Sequence, residues 1–457
     1  MYKFIFFKEE PHIKIRLSVI FLLFTVMVSL TGCTLVTGAE TYLKPPKLSE
    51  QHEKIYNALI NAAGSKINLK YPKAGAYLSA FVVSDIDSEP TDEAIVFYEK
   101  TIITGNDTST LRINFLDQDS DSNWRSVCDF STEGTEVERV FISKLGASDK
   151  KNLIIGVANQ NEKIAHRFYY KDGSIEQSQS LDAYSVMDIK DLNNDNQNEL
   201  IIIHNTPEGN TAKLKWLDAD DTPISSRELT LNENSTETAQ MIYGRLDSNT
   251  TAIYLDSYIN INTIITEILY PVAQNNTISL KLLPIENTED ETINKTIRQS
   301  SLLSRDIDND GIVEIPINSV FKGYEDKLET EKIPMTNWYT VQNGILARKY
   351  SSYYSINDGY SFILPERWIN NVTVKIENDD VVFMKYSETN KLQSELLRLC
   401  VVSSSEAETK IKEKKYSRYE KVYTSGDTVY LACVPDGSGE SLVPSLTEIQ
   451  FSFKPVH

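Results

Sequence analysis

Residues 306–314 read DIDNDGIVE, a stretch with four acidic side chains. These are Asp306, Asp308, Asp310 and Glu314. Carboxylates this close repel one another unless a cation lies between them, and calcium is a hard cation that takes about six to eight oxygen ligands. Gly311 permits a left-handed backbone, so the loop can fold back and bring Glu314 to the same point. We therefore predict a calcium site, with the backbone carbonyl of Ile312 as a further ligand.

The flanks of this stretch exclude an EF-hand. An EF-hand needs a glutamate at the twelfth loop position and a helix on each side. The twelfth position here is Ile317, and the flanks SSLLSR and EIPINSV are short, apolar and interrupted by Pro316. The loop is therefore expected to link two strands. A polar turn with merely solvated acids is the alternative.

The acidic spacing recurs in two upstream stretches. One has Asp191, Asn193, Asp195 and Glu199, and the other has Asp85, Asp87, Glu89 and Glu93. In the first, Asn196 takes the glycine position, and asparagine tolerates a left-handed conformation. In the second, Pro90 fixes φ near about −65° and prevents the same turn. We predict calcium ligands in both stretches, with the Pro90 loop the less suited.

A strand, a turn and a second strand recur through residues 75–350. Copies begin near residues 80, 140, 184, 239 and 300, and each is followed by a second hairpin. Units of about 50–60 residues made only of strands are typical of a propeller. We predict a mainly β chain with a β-propeller of about five blades. The turns at 144–152 and 244–252 have lost the acidic pattern, which favours a structural role for the metal.

The acidic stretches resemble the D-x-D-x-D-G-x-x-D/E loops of the FG-GAP/VCBS family, the calcium-loop propellers found in integrin α-subunits. Residues 306–314 match the pattern fully, while Asn196 and Pro90 depart from it. The resemblance implies a propeller with structural Ca²⁺. It also implies a protein or carbohydrate ligand on the propeller face.

Residues 1–32 are typical of a secretory signal. Lys3, Lys8, Lys14 and Arg16 precede the uncharged apolar run 17–30, which is short for a membrane span. The following Leu30-Thr31-Gly32-Cys33 resembles a bacterial lipobox, which implies cleavage before Cys33 and its acylation, with palmitate among the acyl groups. We predict export, a lipid anchor on the outer face of the bacterial membrane, and a tether over 33–47. An ordinary signal peptide or an uncleaved anchor is the alternative.

The amino-acid composition limits the kinds of partner that the protein is expected to bind. The formal net charge is −19, and it becomes −21 once residues 1–32, with four basic and two acidic side chains, are removed. This negative charge argues against nucleic-acid binding and favours the binding of cations. The length suggests two domains. Residues 48–74 are expected to hold a helix from Ser49 to Ala63, with Ser49 as N-cap and Gly64 at its end.

The repeat ends near residue 350, and residues 351–457 are predicted to form a small α/β sandwich. The phrase GYSFILPERW at 359–368 and the order of elements resemble PsbP/Mog1-type domains, which implies an interaction module. Ser405 and Glu408 predict a capping box for a helix. Cys400 and Cys433 lie in strand-like runs and are either bridged or free thiols.

Catalytic signatures do not stand out. The histidines of the chain belong to no HExxH pattern, and neither GxSxG nor CxxC occurs. We therefore expect a lipid-anchored binding or scaffold protein rather than an enzyme. A carbohydrate-active enzyme that uses the propeller as its substrate platform is one alternative. A subunit of an envelope complex without a ligand of its own is another.

Overall fold

This computed structural model describes residues 48–456 except for several short segments. These are 65, 101–109, 120, 172, 179–181, 249, 275–276, 286, 289–295, 343, 390, 413–418 and 436–440. The predicted signal, Cys33 and the tether lie outside the described residues. Within the described residues, no helix is both long and apolar enough to cross a membrane.

The first element is helix α1 (Glu50–Ala63), as predicted. The Ser49 side chain accepts a hydrogen bond from the His52 backbone, and Gly64 ends the helix with φ 63°. Ile55 and Leu59 are fully buried. They pack with Ile67, Phe81 and other residues of the sheet that follows, so the helix covers that sheet.

In the part of the chain that the structure describes, the strands form six sheets, almost entirely antiparallel. The first two sheets are four-stranded meanders, each with one extra short strand. Sheet I contains β1 (Ile67–Leu69), β2 (Phe81–Ser84), β3 (Glu93–Lys100), β4 (Leu111–Gln118) and β5 (Trp124–Ser131). Sheet II contains β6 (Glu136–Lys144), β7 (Lys151–Ala158), β8 (Lys163–Lys171), β9 (Ser174–Gln177) and β10 (Asp182–Tyr184).

Sheets III and IV repeat this plan. Sheet III contains β11 (Val186–Lys190), β12 (Glu199–Thr206), β13 (Gly209–Leu217), β14 (Pro223–Ser225) and β15 (Leu229–Thr230). Sheet IV contains β16 (Glu237–Arg245), β17 (Thr251–Asn260), β18 (Thr263–Gln274), β19 (Thr277–Leu282) and β21 (Arg298–Gln299).

Sheet V carries the last copy of the repeat and extends beyond it. It contains β20 (Asn287–Thr288), β22 (Ile315–Val320), β23 (Pro334–Gln342), β24 (Ile345–Ser355), β25 (Tyr360–Ile363) and β31 (Phe453–Pro455). A bridge between Arg305 and Glu314 stands where the other units have their first strand. The predicted boundary at residue 351 falls inside β24, and β25 and β31 complete the same sheet.

Sheet VI is built from the remaining C-terminal strands in the order β26-β27-β28-β30-β29. They are β26 (Val372–Glu377), β27 (Asp380–Ser387), β28 (Lys391–Ser403), β29 (Tyr419–Ser425) and β30 (Thr428–Cys433). Two 3₁₀ turns (Glu329–Glu331 and Glu366–Trp368) and helices α2 (Ser404–Lys412) and α3 (Leu446–Ser452) accompany sheets V and VI. Cys400 and Cys433 lie on neighbouring strands and are not joined by a disulfide.

The cap of α2 differs from the prediction by two residues. Ser403, not Ser405, exchanges hydrogen bonds with Glu406, which here replaces Glu408. Both pairs have the same spacing in the SSSEAE run, so sequence spacing alone does not choose between them. The end of β28 at Ser403 fixes the register.

Apolar cores join each sheet to the next. Sheets I and II share one core, II and III another, III and IV a third, and IV and V a fourth. A larger aromatic core joins sheets V and VI. There Phe453 of β31 stacks on Tyr360 of β25, with ring centroids 5.2 Å apart. The mainly β prediction is confirmed, and closure of the sheets into a propeller stays a prediction.

Candidate metal centre

The three acidic stretches occupy the same place in their sheets. We name them loop A (residues 85–93), loop B (residues 191–199) and loop C (residues 306–314). Loop A joins β2 to β3, loop B joins β11 to β12, and loop C joins the Arg305 bridge to β22. The predicted link between two strands is therefore confirmed, and loop C is not flanked by helices.

The first aspartate of each loop organises the backbone. Asp306 accepts backbone N–H bonds from Asp310 (3.0 Å) and Gly311 (2.7 Å). Asp191 accepts the equivalent bonds from Asp195 and Asn196 in loop B. In loop A, a proline has no N–H to donate, and Asp85 accepts a bond from the Ser88 backbone instead (2.6 Å).

Backbone angles confirm the sequence interpretation of the turn. The sixth loop position is left-handed in loops B and C, at Asn196 (φ 65°) and Gly311 (φ 85°). Pro90 stands at this position in loop A and cannot adopt it. The fourth position is left-handed in all three loops, at Ser88, Asn194 and Asn309. Loop A thus shares only the first half of the turn.

The last residue of each loop is a buried glutamate. Glu93, Glu199 and Glu314 are 4%, 3% and 0% exposed. Each accepts through Oε2 a backbone N–H from the second loop residue, which is Ile86, Leu192 or Ile307. Burial nevertheless dominates and raises the pKa to about 7 in Glu93 and Glu314 and to about 8 in Glu199. Desolvation therefore outweighs the hydrogen bonds that these carboxylates accept and, in Glu314, the nearby Lys349 ammonium as well.

Loop A brings together the donor set that a hard cation needs. One oxygen from each of Asp85, Asp87 and Glu93 lies within 4.8 Å of the others. The Oε1 atom of Glu93 is buried without a hydrogen-bond partner. An orphaned carboxylate oxygen beside two further carboxylates fits a calcium ion. Glu89, also predicted as a ligand, has an exposed side chain and is not part of this group.

Loop C forms a similar group from Asp306, Asp308 and Glu314. However, an ammonium group lies among its acids. The Nζ atom of Lys349 is 2.9 Å from Asp308, 2.7 Å from Asp310 and 2.9 Å from Glu314. Asp310 is itself exposed and completes this ion-pair cluster.

Sequence reasoning missed two residues whose side chains contact the acidic side chains of loop C. Lys349 and Tyr350 lie on β24, and the Tyr350 hydroxyl donates to Asp308 (2.7 Å). Burial opposes ionisation of Asp308, but the bonds from Lys349 and Tyr350 outweigh it and lower the pKa of that carboxyl. Lys349 and Tyr350 lie more than thirty positions after the loop in the sequence. No local motif joins them to it, and only the pairing of β22, β23 and β24 does.

Loop B has a weaker donor group. Its Asn193 side chain donates a hydrogen bond to Asp195 (2.9 Å), so one acid is partly satisfied without a cation. Among the described residues, Asp191, Asp195 and Glu199 do not converge as the acids of loops A and C do. The Ile312 carbonyl and the loop B ligands stay predictions.

Each acidic loop also forms hydrogen bonds to a neighbouring sheet or to a turn of that sheet. Lys151 of sheet II contacts Asp85, donating to its carboxylate (3.0 Å) and its carbonyl (2.8 Å). The turn after β6 donates from Gly146 to the Asn198 carbonyl of loop B. The other two links run from Thr251 to the Leu192 carbonyl and from Arg245 to the Gly311 carbonyl. The loops therefore hold successive sheets together along one edge.

A cavity between sheets I and II bears on the enzyme alternative. Its volume is about 350 Å³, and its lining includes Glu133, His166 and Gln177. Glu133 is the only carboxylate among the lining residues. Burial lowers the pKa of His166, whose Nδ1 lies 3.1 Å from the Gln177 amide. A glycosidase-type site needs two facing carboxylates, and this cavity has one.

A second cavity lies on sheet VI, beside α2. Its volume is about 570 Å³, and Asp380 and Lys410 are among its lining residues. The Asp380 carboxylate pairs with Arg398 (3.2 Å) and Lys410 (3.3 Å). The Tyr419 hydroxyl also donates to it. This carboxylate is committed to ion pairs that connect β27, β28 and α2.

Comparisons with known proteins give remote likenesses. No family model and no curated protein matches the chain. Among solved structures it is similar to the exotype rhamnogalacturonan lyase YesX, with a TM-score of 0.26 and 11% identity over 70% of this chain and 61% of that one. It is also similar to the Bacillus licheniformis rhamnogalacturonan lyase PL11, with a TM-score of 0.26 and 12% identity over 71% of this chain and 61% of that one.

A third likeness is to MPT-4, a mannose phosphorylase from Leishmania mexicana, with a TM-score of 0.22 and 10% identity over 59% of this chain and 90% of that one. The chain spans 61% of the length of each lyase. Likenesses at these scores carry no argument about activity.

Proposed function

We propose that this protein is a lipid-anchored extracytoplasmic lipoprotein that acts as a binding or scaffold module on a calcium-stabilised β-propeller. The anchor rests on the Leu30-Thr31-Gly32-Cys33 sequence. The propeller rests on five consecutive sheets of similar topology, each sharing a core with the next. We also propose that the propeller is of the FG-GAP/VCBS type, which the sequence of loop C resembles.

One observation carries the calcium part of the proposal, the buried Glu93 with its orphaned Oε1 beside Asp85 and Asp87. A buried carboxylate oxygen without a partner is destabilising, and a divalent cation would remove that penalty. Asp85, Asp87 and Glu93 would hold the ion in loop A. The ion would fix the β2–β3 turn, which contacts sheet II through Lys151.

Thermal melting with calcium or with chelator tests this metal. A ligand that binds only the folded state at one hundred times its Kd adds about 2.7 kcal/mol of stability. We expect calcium to raise Tm by about 3–5 °C, and magnesium to raise it less because magnesium prefers a tighter octahedral shell. The double variant Asp85→Asn/Asp87→Asn should lose most of the rise. Equal Tm values for the wild type in calcium and chelator would contradict the proposal.

The scaffold role needs a separate experiment in the intact envelope. The tagged full chain is cross-linked in cells held in calcium or in chelator and is then purified from the membrane fraction. We expect discrete cross-linked complexes in calcium that are lost with chelator and in the Asp85→Asn/Asp87→Asn variant. Recovery of only the uncross-linked chain in both conditions would contradict a binding or scaffold role.

A further inference from the structure

Loop C matches the acidic pattern best, yet its acids already surround a cation that belongs to the chain. A lysine ammonium has three N–H donors. Lys349 directs them at Asp308, Asp310 and Glu314, over distances of 2.7–2.9 Å. The Lys349 side chain is only 22% exposed. Lys349 therefore contacts every acid of loop C except Asp306. The Asp306 carboxylate instead accepts hydrogen bonds from backbone N–H groups of the loop.

A β-bulge aims this lysine. On the β23–β24 pair, Trp338 pairs with Tyr350 and Tyr339 pairs with Arg348. Lys349 is thus the extra residue that has no partner on β23. A bulge bends the strand and redirects the side chain of its extra residue. Here that side chain reaches the loop at the start of β22.

Sheet I has a β-bulge at the position that corresponds to the bulge of sheet V, but a different residue type occupies it. Ala94, directly after the last acid of loop A, pairs with Leu116. Ile315, directly after the last acid of loop C, pairs with Tyr339. The bulge of sheet I falls beside Leu116, and its extra residue is Val127. Val127 corresponds to Lys349, is 42% exposed, and cannot supply a charge to loop A.

We infer that Lys349 is a tethered cation that takes the place of a divalent ion in loop C and excludes calcium from it. This inference rests on the proposed calcium binding by the loops. A tethered ammonium competes at a high effective concentration, since it is held by the strand and loses little freedom on binding. Calcium would have to displace it and leave an ammonium to be resolvated. Loop A has the uncharged Val127 at its bulge, and among the described residues its one lysine contact, from Lys151, reaches a single acid, Asp85.

The test counts calcium sites by isothermal titration calorimetry with Ca²⁺ alone on the full chain. The variants are Lys349→Met and Lys349→Gln, with Lys151→Met as a matched control for removing a lysine beside an acidic loop. Lys349→Gln serves if the methionine variant fails to fold. We expect either Lys349 variant to bind one more calcium than the wild type, and Lys151→Met to gain none. With chelator, both Lys349 variants should melt below the wild type, and calcium should restore the loss.

A transplant tests the same idea in the opposite direction. Val127→Lys places a lysine at the bulge of sheet I, and we expect the affinity of loop A for calcium to fall at least tenfold. An unchanged affinity would count against the inference.

Two outcomes separate this inference from the proposed function. If the wild type binds calcium and Asp308→Asn removes a site, calcium occupies loop C and the inference is wrong while the proposed function stands. The inference is also wrong if the Lys349 variants gain no site although loop A binds calcium. If neither the wild type nor any variant binds calcium, the proposed calcium binding fails and the exclusion fails with it.

Discussion

At the scale of single residues, burial decides how several carboxylates behave. Glu267, on β18, is 6% exposed and accepts one bond from the Asn232 backbone (2.9 Å) through Oε1, while its Oε2 has no partner. Burial raises the pKa of Glu267 to about 7. It belongs to none of the three acidic loops, so its titration can be followed apart from any metal.

The first prediction concerns this residue. The pKa is higher in the folded than in the unfolded chain, so folding favours the protonated form and stability falls as pH rises from about 4.5 to about 7. Glu267→Gln removes the charge and keeps the acceptor for Asn232. We expect this variant to raise Tm by several degrees at pH 8 and to change it little at pH 4.5. Melting curves at both pH values test this, and an equal shift at both would contradict it.

Individual residues also show what the sequence could predict. The N-cap at Ser49, the left-handed Asn196 and the disruptive Pro90 follow from local chemistry and lie where local chemistry puts them. The alternative caps near α2 have equal spacing, and only the end of β28 distinguishes them. Lys349 could not be found because its role depends on a β-bulge and on strand pairing, which sequence spacing does not encode.

At the scale of elements, a buried ion pair fixes the end of sheet IV. Arg298 of β21 pairs with Asp256 of β17 (2.9 Å), and both side chains are at most 1% exposed. Arg298 also donates to the Leu302 carbonyl, and Asp256 accepts from the Ser304 backbone. The pair thus connects a two-residue strand and the approach to loop C with a central strand of the sheet.

The second prediction follows from this pair. Arg298→Met leaves the Asp256 carboxylate buried without its counter-charge, and such a loss costs about 3–5 kcal/mol. Arg298→Met/Asp256→Asn removes both charges and should recover part of that loss. Urea denaturation of the three proteins measures the free energy of unfolding. A single variant as stable as the wild type would show that the pair contributes nothing.

At the scale of the whole molecule, the two predicted domains share structure. The meander of sheet V continues from β24 into β25, and Phe321 of the loop after β22 belongs to the core that sheet VI covers. Tyr324 also donates to the Val374 carbonyl on β26 (2.7 Å). The composition change near residue 350 was readable from the sequence. The shared sheet was not, because the pattern of the repeat ends within β24 and does not show that β25 continues the same sheet.

The third prediction addresses this boundary. A fragment of residues 351–457 keeps β25, β31 and sheet VI but loses Phe321 and Tyr324. We expect it to melt cooperatively, as a separate unit of ordinary domain size would. We expect its Tm to be lower than that of a fragment of residues 315–457, which restores those contacts. Absence of a cooperative transition in the shorter fragment would contradict its independence.

The fourth prediction concerns the anchor. Cys33→Ala removes the thiol that a lipobox lipidates, so we expect loss of acyl labelling and a shift from the membrane to the soluble fraction or to an uncleaved precursor. Metabolic labelling with a fatty acid, followed by fractionation, measures both. Cys128→Ala, which alters a cysteine within β5, is the matched control. Labelling that persists in Cys33→Ala would rule out this anchor.

The pairing of β31 with β25 has a consequence for the timing of synthesis. About ninety residues separate the two strands, and a ribosome adds about 5–20 residues per second. Tyr360 and Phe362 therefore leave the ribosome about 5–20 seconds before Phe453 does. Throughout that delay, the apolar β25 segment lacks the strand that completes its edge, and an unpaired apolar strand is prone to pair with the wrong partner. We expect any factor that guards the unfolded chain before export to be needed most at this segment.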